Sequence, residues 1–331
     1  MRLLALETSC DETAAAVVRD DFSVESSVVA SQAQAHAEFG GVVPELAARM
    51  HLERLPSVVE EATASIGGLQ ATLDGVAVAN GPGLVGCLAV GVTYAQSLAA
   101  GLGLPVVGVN HMSGHVLAAR IEDPALEPPF VALVVSGGHT DLIDYQAHDR
   151  VILMGATRDD AVGEAFDKVA RMLGLPYPGG PAIDRIATTG DALRYRLPRP
   201  VLPDFAFSFS GLKTAVLYLV RDLGELDEQQ VADVAASFRL AAVETLCIQL
   251  EAAVEQTGSR KVVLAGGVAS NQLLRLVVRE RLEGIAEVTI PAPELCTDNA
   301  AMIGAAAWTK VARTGFDGEP FGVDPGLRAY V

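Results

Sequence analysis

The chain has 331 residues, half of them apolar, and a formal net charge of −17 at pH 7. This length exceeds what one hydrophobic core usually supports and predicts two lobes, and the acidity argues against nonspecific attachment to nucleic acid while leaving room for a local basic patch. The start of the chain does not resemble a signal peptide, and no uninterrupted apolar run reaches membrane-spanning length. Four scattered cysteines are typical of a reduced protein, so we expect a cytoplasmic location.

The first predicted element is a β-hairpin, in which the apolar run LLALE leads through the turn SCDET into AAAVV. The carboxylates of Asp11 and Glu12 in this turn could accept a proton or bind a metal ion that accompanies a nucleotide. The segment VALVVSGGHTDLIDY, from Val131, repeats the pattern one lobe's length later, as a duplicated fold would give. Its SGGHT turn offers backbone N–H groups that can approach a phosphate, because glycine has no Cβ. Two such hairpins predict a nucleotide cleft.

Apolar residues at spacings of three and four predict four helices between these strands. A later segment, KVVLAGGVASNQLLRLVVRERL, predicts a strand, a Gly-Gly turn and an amphipathic helix that opens near Ser270 or Asn271, where the helix N-terminus carries partial positive charge. The glycines of this segment do not have G-x-G-x-x-G spacing, and the chain contains no P-loop motif, so Rossmann and P-loop folds are disfavoured. The four predicted helices are PELAARMHLERLPSVVEEATASI, VGCLAVGVTYAQSLAAGL, AVGEAFDKVARMLGL and EQQVADVAASFRLAAVETLCIQLEAAVEQ.

The segment VNHMSGHVL contains two histidines, His111 and His115, one helical turn apart. This spacing places both imidazoles on one helix face, where they can serve as two ligands of one ion. Met112 stands where a protease motif of the His-Glu-x-x-His type has its glutamate, so hydrolysis by that mechanism is disfavoured. The best third ligand is Asp298, at a predicted helix start in CTDNAAMIG. Two histidines and one carboxylate suit iron(II) and also zinc.

Alternatives to this metal site stay open on the sequence alone. Asp298 could instead cap its helix, with one histidine capping and the other packed in a core. His36 and His51 are rival metal ligands, although a polar residue at a loop or helix edge is the simpler interpretation of each.

A basic stretch lies between Ile183 and Lys213. One interpretation is a solvated face that balances acids elsewhere, and the other is an edge that contacts phosphates. Its cations are Arg185, Arg194, Arg196, Arg199 and Lys213.

Eight segments occur in the order found in the bacterial tRNA adenosine threonylcarbamoyltransferases, which the chain resembles over nearly its whole length. This resemblance implies an α/β fold with two ribonuclease-H-like lobes of the actin, sugar-kinase and heat-shock-chaperone superfamily around a nucleotide cleft. We therefore predict an N-terminal lobe of residues 1–120 with about 296–331, and a C-terminal lobe of residues 121–295. The segments are HAEFGGVVPELAARMH, GPGLVG, NHMSGH, VSGGHT, GEAFDKVARMLGLPYPGGP, FSFSGLKT, AGGVASN and CTDNAAMIG.

The resemblance implies transfer of the threonylcarbamoyl group of threonylcarbamoyl-AMP to the exocyclic amine of the adenosine next to the anticodon. The acceptor tRNAs read codons that begin with A, and AMP is released. The implied partners are tRNA, an inactive paralogue subunit, a small ATPase and the synthase that makes threonylcarbamoyl-AMP, with no membrane. Rival functions are a noncatalytic nucleotide-binding scaffold and a kinase or ATPase of the same superfamily; a protease comes last.

Carried over by motif, His111, His115 and Asp298 resemble ligands of one divalent metal, with iron(II) favoured and zinc as the alternative. Our own hypothesis is that Asp11 or Glu12 takes the proton of the attacking amine. The cleft would hold threonylcarbamoyl-AMP, or ATP or AMP. Its implied contacts are Val134, Val135, Ser136, Gly137, Gly138, Asp167, Gly180, Asp184 and Asn271, and we predict tRNA contacts at Arg194, Arg196, Arg199 and Lys213.

Overall fold

The computed structural model describes residues 1–69, 72–316 and 320–328. The chain divides into two compact units. Unit 1 comprises Met1–Leu126 and Glu294–Ala329, and unit 2 comprises Glu127–Pro293. Each unit contains a five-stranded mixed sheet with helices against it.

The sheet of unit 1 comes from the first part of the chain. Its elements are β1 (Arg2–Glu7), β2 (Glu12–Arg19), β3 (Val24–Ser31), α1 (Ala33–Ala37), α2 (Pro44–Ala64), β4 (Gly75–Gly81), α3 (Val85–Leu102), β5 (Val106–Asn110), α4 (His111–Leu117) and α5 (Ala119–Glu122). The strand order is β3-β2-β1-β4-β5, with β1, β2 and β3 antiparallel and β4 and β5 parallel to β1. The first predicted hairpin is confirmed.

Unit 2 repeats this topology. Its elements are β6 (Phe130–Val135), β7 (Thr140–Ala147), β8 (Arg150–Ala156), α6 (Val162–Met172), α7 (Gly179–Ile186), α8 (Ser210–Leu223), α9 (Glu228–Thr257), β9 (Lys261–Ala265), a 3₁₀ turn (Gly267–Ser270), α10 (Gln272–Leu282) and β10 (Glu287–Thr289). The order β10-β9-β6-β7-β8 again combines an antiparallel run, here β6 to β8, with two parallel strands. The second hairpin and the duplication inferred from it are confirmed.

The last helices are α11 (Pro293–Cys296) and α12 (Ala300–Thr314), and α12 lies against the sheet of unit 1. Trp308 Nε1 donates a hydrogen bond of 2.9 Å to the Val18 carbonyl of β2. Gly304 permits close packing there, because a Cβ at this position would lie 2.5 Å from the Val18 side chain. Helix α12 is thereby fixed to strands formed at the beginning of the chain.

The four helices predicted from periodicity are α2, α3, α6 and α9. Local signals set the ends of the longest, α9. Asp227 and Gln230 form a capping box at its start, and Gly258 ends it in the left-handed conformation with φ 66°. The helix predicted near Ser270 or Asn271 is α10, with Asn271 as its N-cap.

Within the described residues, helix α3 is long and apolar enough, by length and composition alone, to cross a membrane. Its mean hydropathy is 1.5 and 33% of it is buried, with contacts to α2 and β4. Core helices of soluble proteins pass the same test, so the finding is weak evidence for a span. The sequence expectation concerned an uninterrupted apolar run, which α3 is not, because Gln96 and Ser97 interrupt it.

Candidate functional site

Three side chains of unit 1 converge on one point. His111 and His115 project from α4, and Asp298 lies shortly before α12. Asp298 Oδ1 is 3.2 Å from His115 Nε2 and 3.6 Å from His111 Nε2, and the two rings lie nearly perpendicular with centroids 4.7 Å apart. One ligand atom from each residue lies within 4.8 Å of the others, so one cation can contact all three.

The meeting of α4 and α12 depends on a glycine between the two histidines. A Cβ at Gly114 would lie 3.0 Å from Ile303 Cδ1 and 3.3 Å from Met302 Cγ, so a larger residue would press against α12. Asn110 caps α4, since its Oδ1 accepts a hydrogen bond of 3.1 Å from Ser113 N. The motif NHMSGH thus encodes a capped helix whose ligand-bearing face can approach a second helix.

Asp298 does not cap its helix. The N-cap of α12 is Asn299, whose Oδ1 accepts a hydrogen bond of 2.9 Å from Met302 N. The alternative in which Asp298 serves only as a cap is therefore wrong, because that position belongs to the next residue. The Asp298 carboxylate instead approaches the two imidazoles.

The rival histidines belong to a separate buried network. His51 Nδ1 lies 2.8 Å from Thr13 Oγ1, and His51 Nε2 lies 2.9 Å from the Cys10 carbonyl oxygen. His36 Nε2 lies 3.2 Å from Gln32 Oε1. Because their ring nitrogens already bond to protein groups, these residues hold the loop near the first hairpin together rather than joining the candidate metal centre.

Sequence reasoning missed the partner of His111. Glu7 ends β1, is fully buried, and places Oε2 3.0 Å from His111 Nδ1, with Ser9 Oγ 3.1 Å from the same nitrogen. A carboxylate only accepts, so Nδ1 carries the hydrogen and Nε2 is the nitrogen directed at Asp298. The sequence does contain a signal that could have found Glu7, because it is an acidic residue at the end of the buried apolar run LLALE.

The acids around His111 control its charge. Burial lowers the pKa of this imidazole, but the charges of Glu7 and Asp298, with the hydrogen bond to Glu7, outweigh burial and raise the pKa to about 9. The ring is therefore protonated at neutral pH when no cation lies beside it. A metal at Nε2 has to displace that proton, which links metal affinity to pH.

The two candidate catalytic acids lie where β1 turns into β2, Asp11 in the turn and Glu12 at the first residue of β2. Burial raises the pKa of Asp11, and burial raises the pKa of Glu12 to about 7. Ser31 Oγ donates a hydrogen bond of 2.8 Å to Glu12 Oε1, while the buried Oε2 has no hydrogen-bond partner among the described residues. Glu12 can therefore exist in either protonation state near neutral pH, as a proton acceptor requires.

The candidate phosphate-side residues of unit 2 form the end of β6 and the following turn. Val134 and Val135 have fully buried side chains, so they can offer a ligand only their backbone. Ser136 N donates a hydrogen bond of 2.8 Å to the His139 carbonyl and closes the turn. A Cβ built at Gly137 or Gly138 would have no atom within 4 Å, so space is open on that side of the turn, while Gly163 packs against its other side.

Asp167 joins two helices of unit 2. Its Oδ1 accepts a hydrogen bond of 2.7 Å from Gly179 N at the start of α7. Burial raises the pKa of Asp167, while hydrogen bonds from the backbone of Gly179 and Gly180 oppose this shift. Space is open at Gly180, where a Cβ would have no atom within 4 Å.

Two other candidate contacts, Asp184 and Asn271, are hydrogen-bonded to each other. Asn271 Nδ2 donates to Asp184 Oδ1 at 2.9 Å, and Arg239 Nη1 donates to the same oxygen at 2.6 Å. Asp184 Oδ2 also accepts a bond of 3.2 Å from Gln272 N at the start of α10. Sequence reasoning missed Arg239, which lies in the middle of the long helix α9 and belongs to no motif.

The four candidate tRNA-binding cations differ in their surroundings. Arg199 forms an ion pair with Glu244, and Lys213 forms one with Asp160. Arg194 and Arg196 are exposed. The basic stretch therefore consists of cations engaged by acids of unit 2 together with arginines that face solvent.

Comparison with known proteins gives a family and a fold. The family model described as tRNA N6-adenosine threonylcarbamoyltransferase matches residues 23–305. Relatives with that name from Geobacter sp. (strain M21) and Moorella thermoacetica are 54% and 50% identical over 307 and 320 residues, covering 92% and 95% of this chain and 89% and 93% of the relatives.

Solved structures share the fold at low identity. Component A of (R)-2-hydroxyglutaryl-CoA dehydratase from Acidaminococcus fermentans has a TM-score of 0.54 at 14% identity, covering 95% of this chain and 100% of its own. HypF from T. kodakarensis has a TM-score of 0.62 at 12% identity, covering 95% of this chain and 48% of its own. These likenesses concern the fold alone, and with the two matching sheets they confirm the predicted fold class.

Proposed function

Because this chain belongs to the tRNA N6-adenosine threonylcarbamoyltransferase family, we propose that it transfers a threonylcarbamoyl group from threonylcarbamoyl-AMP to the exocyclic amine of the adenosine next to the tRNA anticodon, with release of AMP. The observation that carries this proposal is the convergence of His111, His115 and Asp298. A noncatalytic scaffold has no need of such a set. A kinase or ATPase of the superfamily would hold magnesium through carboxylates and phosphates instead of imidazoles.

The donor atoms fit a borderline transition metal. Two imidazole nitrogens and one carboxylate oxygen suit zinc or iron(II), and Glu7 orients His111 as expected for a metal-ligating histidine. When bound, the cation would supply Lewis-acid polarisation of the carbamoyl carbonyl. The preference for iron(II) over zinc stays a prediction.

The proton of the attacking amine needs an acceptor. The adenine amine is a weak nucleophile because its lone pair is delocalised, so its proton leaves as the new C–N bond forms and not before. We propose Glu12 for this role, with Asp11 as the alternative, because the pKa of Glu12 lies near neutral pH and its buried Oε2 is unpartnered among the described residues. The bond between the carbamoyl carbon and the AMP phosphate oxygen then breaks, and AMP leaves with that oxygen and its electron pair.

Unit 2 supplies the groups proposed to bind the adenylate. The turn at Gly137 and Gly138 would receive the phosphate on backbone N–H groups, since space is open beside both glycines. Asp184 can accept hydrogen bonds from ribose hydroxyls in addition to those from Arg239 and Asn271, because an ionised carboxylate has about four acceptor sites. Val134, Val135, Ser136, Asp167 and Gly180 complete the proposed contacts.

The proposed tRNA contacts centre on Arg194 and Arg196, which are exposed. Arg199 and Lys213 would have to exchange their pairing with Glu244 and Asp160 for phosphates. Because a net charge of −17 opposes tRNA binding, we propose that partner subunits supply further positive charge. The proposed partners are an inactive paralogue subunit and a small ATPase. A separate synthase would supply the adenylate in the cytoplasm.

The decisive experiment supplies purified chain with synthetic threonylcarbamoyl-AMP and unmodified tRNA, with and without the proposed partners. We expect AMP release matched by threonylcarbamoyladenosine in the tRNA. Asp298→Asn should abolish both products while leaving AMP binding intact. ATP hydrolysis without any modified nucleoside would favour an ATPase, and neither activity with bound nucleotide would favour a scaffold.

A further inference from the structure

The end of the described chain lies along unit 1 without forming a helix or strand. We name residues 320–327 the C-terminal strap. Asn80 Nδ2 donates to the Gly322 carbonyl at 3.1 Å, and Asp324 N donates to the Asn80 carbonyl at 2.9 Å. Gln96 Nε2 donates to the Phe321 carbonyl at 3.0 Å. These bonds tie the strap to the end of β4 and to α3.

Two glycines of unit 1 leave room for the strap. A Cβ at Gly81 would lie 1.8 Å from the Asp324 carbonyl oxygen, and one at Gly108 would lie 2.6 Å from the Phe321 ring. Contacts of real Cβ atoms do not occur at these distances, so a side chain at either position would displace the strap. The backbones of β4 and β5 are thus adapted to this segment.

The strap reaches the candidate metal centre through Asn110, the residue before His111. Asn110 Nδ2 donates to the Leu327 carbonyl at 3.1 Å, while its Oδ1 caps α4 by accepting from Ser113 N. One amide side chain therefore joins the strap to the first turn of the ligand-bearing helix. A shift of the strap changes the hydrogen bond that orients this cap.

A second connection runs through the turn after β4. Gly83 N donates to the Pro325 carbonyl at 3.3 Å. A Cβ at Gly83 would lie 2.6 Å from the Ser9 carbonyl oxygen, so this turn packs directly on Ser9, whose hydroxyl lies 3.1 Å from His111 Nδ1. The strap is thus connected to His111 in two ways. One runs through Asn110, its neighbour in the chain, and the other through Ser9, whose hydroxyl contacts its ring.

We infer that the C-terminal strap is a positioning element that holds His111 in the orientation required for metal binding. This inference rests on the proposed metal site. None of the side chains of residues 320–327 is buried, and Phe321 and Val323 are half-buried against the hydrophobic core of unit 1, so we expect the strap to detach without unfolding the unit. Detachment leaves the ligands present but less well oriented, which lowers metal affinity while the adenylate contacts of unit 2 stay intact.

The test compares four variants with the full chain: a chain that ends after residue 319, Asn110→Ser, Phe321→Ala, and Tyr218→Ala as control. Asn110→Ser keeps a capping oxygen but cannot reach the Leu327 carbonyl. Tyr218→Ala removes an exposed aromatic ring of α8 in unit 2. Zinc affinity is measured by competition with a chromogenic chelator, and hydrogen exchange of α4 amides is measured in metal-free protein.

We expect the truncation, Asn110→Ser and Phe321→Ala to weaken zinc binding about tenfold and to speed exchange in α4 but not in α9, with Tyr218→Ala unchanged. Asn110→Ser should add little in the truncated chain, because its partner is already absent. Full affinity and full α4 protection in the truncated chain would overturn the inference. If truncation unfolds the protein, the two point variants decide by the same criteria.

The two proposals can fail separately. A full chain that binds no zinc, cobalt(II) or iron(II) would refute the proposed metal site, whereas the exchange data would still report whether the strap holds α4. Normal metal binding by every strap variant, with a working site in the full chain, would refute the strap alone.

Discussion

The histidines of the candidate metal centre of unit 1 are buried, whereas glycines among the candidate nucleotide-binding residues of unit 2 border open space. At the metal centre, three ligand atoms lie within 4.8 Å, and His111 and His115 are only 8% and 2% exposed. In unit 2, Gly137, Gly138 and Gly180 border open space, and the polar side chains satisfy one another.

The difference follows from the size of the ligand. A single ion can be held only if several side chains are oriented beforehand to within a fraction of an ångström, and this needs a buried, hydrogen-bonded surround. A nucleotide brings many donors and acceptors of its own, so open backbone and polar groups with spare acceptor capacity suffice. The first arrangement should therefore be more sensitive to single substitutions than the second.

The largest effect is expected for His115→Ala. Loss of one of three ligands should remove the metal and, because Lewis-acid polarisation is worth several kcal/mol, lower the rate of AMP release by about a hundredfold or more. Metal content is measured by elemental analysis and turnover by AMP release, with circular dichroism as a check of folding. His148→Ala, in unit 2 beside Glu127, is the matched control and should retain metal. Full metal content in His115→Ala would show that His115 is not a metal ligand and that the site does not depend on it.

The next effect concerns the partner of a ligand. Glu7→Gln keeps the shape of the side chain but replaces the charged acceptor at His111 Nδ1, so metal affinity should fall about 10- to 100-fold. Competition with a chelator measures the change. Glu45→Gln, on the exposed start of α2, serves as control. Equal affinity in both variants would mean that Glu7 does not tune the site.

A smaller effect is expected in unit 2. Asp184→Asn removes the charge that accepts from Arg239 and should lower the free energy of unfolding by about 1–2 kcal/mol, because hydrogen bonds to charged groups are worth more than neutral ones. AMP binding, measured by calorimetry, should weaken several-fold, with metal content unchanged. Asp204→Asn, at an exposed aspartate, is the control. Loss of metal from Asp184→Asn would show that the two sites are not independent.

The smallest effect is the pH dependence caused by Glu12. Burial raises its pKa from 4.5 to about 7, so between these values the native state holds a proton that the unfolded state has released. The free energy of unfolding therefore falls as pH rises through this window. Glu12→Gln should remove this slope and be more stable than the parent at pH 8 by about 1 kcal/mol, a value reduced for partial solvent exposure.

Urea unfolding at pH 5 and pH 8 measures the stability effect of Glu12→Gln. The activity of the same variant should lack the rise near pH 7 that a proton acceptor of this pKa produces. A parent chain whose stability is constant between the two pH values would contradict the assigned burial of this acid, and an unchanged rate profile would favour Asp11 as proton acceptor.

The local elements could be predicted from the amino-acid order, because helices, strands and turns are encoded by periods of two and 3.6 residues and by capping residues close in the chain. It therefore predicted both hairpins, the main helices, and the helix that presents His111 and His115 on one face. Residue types also suggested Asp298 as the third ligand, but spacing could not decide between ligand and helix cap.

Which distant groups meet could be learned only from the folded chain. The approach of Asp298 depends on packing of α12 against α4 through Gly114, and Glu7 reaches His111 only because β1 ends beside the start of α4. The pairing of Asp184 with Arg239 and Asn271 is likewise long-range. Such contacts depend on how buried surfaces fit together in three dimensions, and no local periodicity in the chain encodes that fit.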